Sequence, residues 1–211
     1  MIKYIEIGKS STIEQTTKNI RRQTNGSNDS EYVKKIMNDV EKNKDKSLLK
    51  YSLKFDKVRL TVNELKVKNK EIQEAYTILD PIIVKELKNL KKSIEMTEKK
   101  IMKEFKSSVK NVMINNGQSF IKYNSVPINS VGCYVPGGKA VYPSSLIMSA
   151  VPARIAGVDR IIVCSPPSSD KKISASVLVA ADLCNINEIY KVGGAQAIAA
   201  MGYGTNIIKP V

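Results

Sequence analysis

Two short glycine turns hold the residues with the clearest capacity for chemistry. The first reads Tyr134-Val135-Pro136-Gly137-Gly138-Lys139-Ala140 and the second Val192-Gly193-Gly194-Ala195-Gln196-Ala197. Each follows a short β-branched run and precedes a helix-forming stretch. That order exposes backbone N–H groups and a helix amino-terminus to an anionic ligand. Neither turn has the G-x-G-x-x-G spacing of a conventional dinucleotide fingerprint, and a double glycine also serves where positive φ or close packing is required. Tyr134 can lay its ring against a flat base or a ribose while its hydroxyl finds a polar partner. Gln196, in the first turn of its helix, can direct an amide toward the same ligand. The plainer alternatives are a Tyr134 packed under its own loop and a Gln196 that caps its helix.

Other candidates are weaker. Ser144 and Ser145 read as a helix cap rather than nucleophiles, because the chain has no histidine to serve as their base. Lys139 could touch a phosphate, but a solvated lysine is the simpler account. Cys164 ends a strand and invites comparison with an aldehyde-trapping thiol, yet nothing nearby would lower its pKa. With Cys133 and Cys184 it makes three widely spaced cysteines. An odd number without histidine suggests reduced, buried thiols rather than disulfides or a zinc finger. The same lack of histidine removes any imidazole ligand or general base.

The elements that position these residues fall into two styles. Through Ser130 the chain holds 27 Lys and Arg against 16 Asp and Glu, and from Val131 onward 7 against 4, which together give the net charge of +14. Residues 1–30 read as an arm and loop, with Ser30 capping a helix over 31–43. Asp45 offers a cap for a second helix bearing Leu48, Leu49, Leu53 and Phe55. A long helix opens at Asp80-Pro81 and carries Ile83, Leu87, Leu90, Ile94, Thr97, Ile101 and Phe105 as one apolar stripe. Its lysines belong to a solvated face, and no motif for nucleic acid accompanies the charge. Asn115-Asn116-Gly117 marks a hairpin between two β-prone pieces, 112–114 and 119–123.

From Val131 lysine thins out and strands alternate with helices. The strands are expected at 131–135, 160–164 and 188–192, and the helices at 144–156, 174–184 and 195–201. This implies an α/β fold: a Rossmann-like open parallel sheet in residues 131–211, preceded by a helix-rich, incomplete α/β domain in residues 31–130. No run approaches the length of a membrane span and no signal layout opens the chain, which points to a cytoplasmic protein.

The wording around the turns is more specific than either turn alone. Val131-Gly132-Cys133-Tyr134-Val135-Pro136-Gly137-Gly138, Tyr142-Pro143-Ser144-Ser145, Val151-Pro152-Ala153-Arg154-Ile155-Ala156-Gly157, Cys164-Ser165-Pro166-Pro167 and Val192-Gly193-Gly194-Ala195-Gln196-Ala197 with Tyr203-Gly204-Thr205 follow one another in order. Together they resemble the histidinol dehydrogenase family. The likeness is strong over 131–205 and weaker before it, where the Tyr51-Ser52-Leu53-Lys54-Phe55-Asp56 stretch carries it. The resemblance implies a zinc-dependent enzyme that oxidises L-histidinol to L-histidine with NAD, as a homodimer. It assigns Tyr134 and Gln196 to NAD and makes residues 131–211 the cofactor-binding segment. It also implies that the zinc ligands and the catalytic acid/base residues lie on chain downstream of this one, so the chain reads as a fragment, or else a naturally shortened relative, unable to catalyse the reaction by itself. Two other readings stay open: a related aldehyde-dehydrogenase-like enzyme using Cys164, and a non-catalytic protein that binds through its basic surface.

Overall fold

The structure, a computed structural model, describes residues 27–109, 113–115, 117, 120–122, 124–137 and 141–211. Helix α1 (Ser27–Asn43) begins earlier than a Ser30 cap would set it. Ser30 lies inside the first turn, a place serine tolerates at a small cost in helix propensity. Lys44 then turns the chain with φ 51°, and its carbonyl accepts from Ser47 and Leu48 at the start of α2 (Asp45–Tyr51). Asp45 is therefore the first helical residue rather than a cap. The expected continuation through Leu53 and Phe55 is instead a π-helical turn, Ser52–Asp56, closed by Lys57 in the left-handed region. Tyr51 is buried and stacks on the half-exposed Phe55 with ring centroids 5.5 Å apart.

Helix α3 (Asn69–Ile78) has no counterpart among the sequence expectations. Its amino-terminus is closed by the Glu71 carboxylate, which accepts from the Lys68 N–H at 3.1 Å. Helix α4 (Pro81–Val109) begins as expected, with Asp80 accepting from the Ile82 N–H at 2.8 Å. Its stripe is only partly used. Leu87 is buried and Val84, Leu90 and Ile94 pack against the core, whereas Ile83, Ile101 and Phe105 are exposed. Length gives the reason: 29 residues of helix span roughly 43 Å, about twice the 14-residue helix α5 (Pro143–Ala156) against which α4 lies. Strands β1 (Met113–Asn115) and β2 (Phe120–Lys122) pair antiparallel around Gly117 at φ 80°, the hairpin read from Asn-Gly.

Beyond them β3 (Ser130–Tyr134), β4 (Arg160–Ser165) and β5 (Glu188–Lys191) form a parallel sheet in that order. They alternate with α5, α6 (Ala175–Leu183) and α7 (Gly194–Tyr203). Gly157 ends α5 at φ 97°, a conformation other residues reach only with strain. Because strand side chains alternate, the sheet feeds two cores. Cys133, Val135, Ile161, Val163 and Ile189 pack with α5 and α6 and with Ala75 and Leu87 from α3 and α4. Ile162, Cys164, Tyr190 and Val192 pack with α7 and with Ile36, Val40, Leu48 and Tyr51 from α1 and α2. Both cores thus combine residues from either side of Ser130.

Residues 65–67 cover the β5 edge. The Val67 N–H donates to the Ile189 carbonyl at 2.9 Å, and the Lys191 N–H to the Leu65 carbonyl at 2.7 Å. The Lys191 ammonium, nearly buried, meets Glu71 at 2.6 Å and so ties α3 to the end of β5. Among the described residues no helix is long and apolar enough to cross a membrane.

Candidate functional site at the carboxyl ends of the strands

The loops that leave β3, β4 and β5 converge on Pro166. A Cβ placed on Gly137 would come 2.5 Å from the Pro166 Cγ, and one on Gly193 would come 2.6 Å from its Cβ. Both glycines are therefore required for close approach and not only for turning. The proline ring fills the space between two turns separated by more than fifty residues of chain.

Tyr134 leaves the end of β3 a little over one-third exposed, and its phenolic oxygen accepts from the Gly194 N–H at 3.0 Å. This N–H at the start of α7 was expected to face a ligand anion; in the structure it is engaged by Tyr134. Gln196 lies two residues on, fully buried, and its Oε1 has no hydrogen-bond partner among the described residues. That oxygen sits beside Gly194, where an added Cβ would approach it to 2.8 Å, and Gly194 itself adopts φ 62°. The structure therefore brings Tyr134 and Gln196 to the same turn, one as an exposed ring and the other as a buried amide. A capping role for Gln196 is not seen: its Oε1 accepts no hydrogen bond among the described residues, and the first N–H of α7 is taken by Tyr134 instead.

Beside Pro166 lies a cavity of about 290 Å³, lined by Gly137, Ser165, Ser168, Ser174 and Asp56. Asp56 had not been singled out as a site residue. It arrives on the π-helical turn from the opposite layer, its Oδ2 is buried with no partner among the described residues, and burial raises its carboxyl above the ordinary value. The available signal was a lone acid between Lys54 and Lys57 at the end of an apolar run.

The remaining candidates are placed differently. Helix α5 starts with Pro143 at its first position after Tyr142, and no side chain caps it, so Ser144 and Ser145 lie inside the first turn. Proline at that position lacks the N–H a cap would satisfy and is already set to helical φ. Lys139 lies outside the described residues. Cys164 is fully buried and its thiol is pushed up to about 12 by that burial, which leaves no thiolate for nucleophilic attack near neutral pH. Cys133 and Cys184 are also buried, free and shifted upward. Among the described residues no three carboxylate, thiol or imidazole side chains converge as a metal site. Zinc therefore finds no fit among these residues.

Parallel strands sheathed by helices, with glycine turns gathered at their carboxyl ends, define a Rossmann-like α/β protein of the kind that receives ligands beyond its strand ends. Comparison with known proteins narrows this class. The histidinol dehydrogenase family model matches residues 19–211. Histidinol dehydrogenase of Methanothermobacter thermautotrophicus is 44% identical over 167 residues, covering 79% of this chain and 38% of the relative. That of Clostridium acetobutylicum is 42% identical over 186 residues, covering 85% and 40%. The crystal structure of histidinol dehydrogenase from Elizabethkingia anophelis superposes with a TM-score of 0.75 at 32% identity, over 86% of this chain and 40% of that one. The chain belongs to the histidinol dehydrogenase family, and it spans about 40% of the length of these relatives.

Proposed function

We propose that this chain is the NAD-binding part of a histidinol dehydrogenase acting in histidine biosynthesis. The whole enzyme oxidises L-histidinol through the aldehyde to L-histidine. Each of the two steps removes one hydride and one proton, and water adds to the aldehyde to supply the second carboxyl oxygen. NAD, when bound, supplies the hydride acceptor. The chain's own residues bind and orient it: Tyr134 offers a ring face at the rim, and the Gln196 oxygen accepts from an amide or amine donor. The glycine turns let Pro166 pack against both of them, which sets one wall of the adjoining cavity. The observation that carries this reading is the meeting of Tyr134 with the Gly193–Gly194 turn beside a buried, unpartnered Gln196 oxygen. An acceptor left unsatisfied inside a protein costs roughly 1–3 kcal/mol, which a donor on the ligand would recover.

On this reading zinc, its ligands and the acid/base groups are supplied by polypeptide outside these 211 residues, and the active enzyme is a cytoplasmic homodimer. Titrating the 211-residue chain with NAD in a calorimeter tests the proposal. Binding that weakens about tenfold or more in Gln196→Leu, a loss of about 1.4 kcal/mol, supports it. No binding by the unmodified chain overturns it. The chain with zinc, NAD and L-histidinol is expected to form no NADH, and turnover would overturn the placement of the reactive groups elsewhere.

A further inference from the structure

The chain is strongly basic, with 34 Lys and Arg against 20 Asp and Glu, yet the Asp56 carboxylate has no cation beside it among the described residues. Its neighbours are engaged elsewhere. The Lys54 ammonium donates to the Tyr32 hydroxyl at 2.8 Å, and the Lys57 ammonium to the Lys54 carbonyl at 2.9 Å. The backbone that presents Asp56 is nevertheless firmly held. Tyr51 and Val58 on either side are buried in the core, and the Val58 N–H donates across the turn to the Ser52 carbonyl at 3.3 Å. An acid with no partner among the described residues, on a well-anchored turn at the wall of a cavity, is placed for a ligand that donates hydrogen bonds.

The cavity restricts what that ligand presents. Its volume of about 290 Å³ admits a sugar-sized group and not a whole dinucleotide. Its walls combine serine side chains, at Ser165, Ser168 and Ser174, with the flat faces of Pro136 and Pro166. In parallel dinucleotide-binding sheets an acid near the end of the second strand takes the ribose hydroxyls. Here the second strand is β4, and it runs into Ser165-Pro166-Pro167-Ser168 without an acid. The next one, Asp170, is exposed and already accepts from the Lys172 N–H at 3.1 Å. Asp56 lines the cavity at the end of that strand, arriving from a different layer of the molecule.

We infer that Asp56 binds the adenosine-side ribose diol of the dinucleotide through its two carboxylate oxygens, and that its charge rejects a 2′-phosphate and so selects NAD over NADP. This rests on the NAD-binding reading above. The test is the affinity of the 211-residue chain for NAD and for NADP, measured by calorimetry for the unmodified chain, Asp56→Asn and Asp56→Ser. Thermal melts serve as a control for folding. Asp56→Asn is expected to weaken NAD and strengthen NADP, so that the preference between them shrinks about tenfold or more. Asp56→Ser, which removes the charge and most of the side chain, should shift the preference in the same direction. If the unmodified chain binds NAD and both variants leave the NAD-to-NADP ratio unchanged, the role of Asp56 is wrong and the wider reading stands. If the unmodified chain binds neither nucleotide, both fail.

Discussion

Gly137 and Gly193 abut the same proline, but the turns they belong to are held differently. At Gly193 an added Cβ would meet the Pro166 Cβ at 2.6 Å and its backbone Cα at 3.3 Å. The neighbouring Gly194 has a left-handed backbone, and its N–H is bonded to Tyr134. At Gly137 the near contact is with the tip of the proline ring, the Cγ at 2.5 Å, with the rest of the ring at 3.4 Å and beyond. A ring tip can change pucker; a Cα can move only with its chain. The difference teaches that one turn is fixed by sheet, proline and tyrosine together, while the other needs only room.

The sharpest way to break that contrast is Gly193→Ala, which overpacks a rigid contact and should cost about 1–3 kcal/mol in urea unfolding. Gly137→Ala should cost less, because the Pro166 ring can yield. Equal losses would show that the turns are held alike. Adding Pro166→Gly to Gly193→Ala, which removes the Cβ in the way, should recover part of the loss, a coupling that a double-mutant cycle measures directly.

A smaller effect is expected for Tyr134→Phe, which keeps the ring and removes the acceptor for the Gly194 N–H. A net hydrogen bond of this kind contributes about 1 kcal/mol, and the partial exposure of Tyr134 lowers that value. Amide exchange at Gly194 should accelerate while exchange within α7 beyond it stays unchanged. Uniform acceleration along the helix would mean that the tyrosine supports the whole element and not this one group.

The smallest effect concerns the strand beneath Pro166. The Cys164 thiol is raised from its ordinary value of 9 to about 12 in the folded chain, so the stability it contributes is complete below pH 9 and declines as pH rises from 9 toward 12. The loss should be under about 1 kcal/mol at about pH 9.5, and Cys164→Ala should flatten that part of the pH dependence. An identical slope in the variant would show that the thiol is accessible and titrates normally. Rapid alkylation of Cys164 in the folded protein would show the same and would reopen a nucleophilic role.

Where local pattern decides structure, the sequence was readable. Asp80-Pro81 opened a helix because cap and first position are chosen by backbone groups within two residues. Asn-Gly marked the β1–β2 hairpin for a similar reason. The parallel strands could be placed to within a residue or so, since buried β-branched runs bounded by glycine and serine have few alternatives. The failures share a cause as well. Helix α3 went unseen because its amino-terminal closure uses Lys68 and Glu71, a pairing that gives no serine or threonine signal. The α4 stripe was read as continuous because periodicity reports which face is apolar, not how far a neighbouring helix extends along it.

Sequence by itself thus determined the alternation of strands and helices after Val131, the two glycine turns and the ordered motifs that carry family membership. Tertiary structure decided what those turns touch. Pro166 lies between them, Tyr134 takes the N–H at the head of α7, the Gln196 oxygen is closed in, and Asp56 reaches the strand ends from a helical layer more than seventy residues earlier in the chain. A turn or a helix is specified by groups a few residues apart. A convergence of three loops depends on the order of strands in a sheet and on which helices cover it, and no local run of residues encodes that.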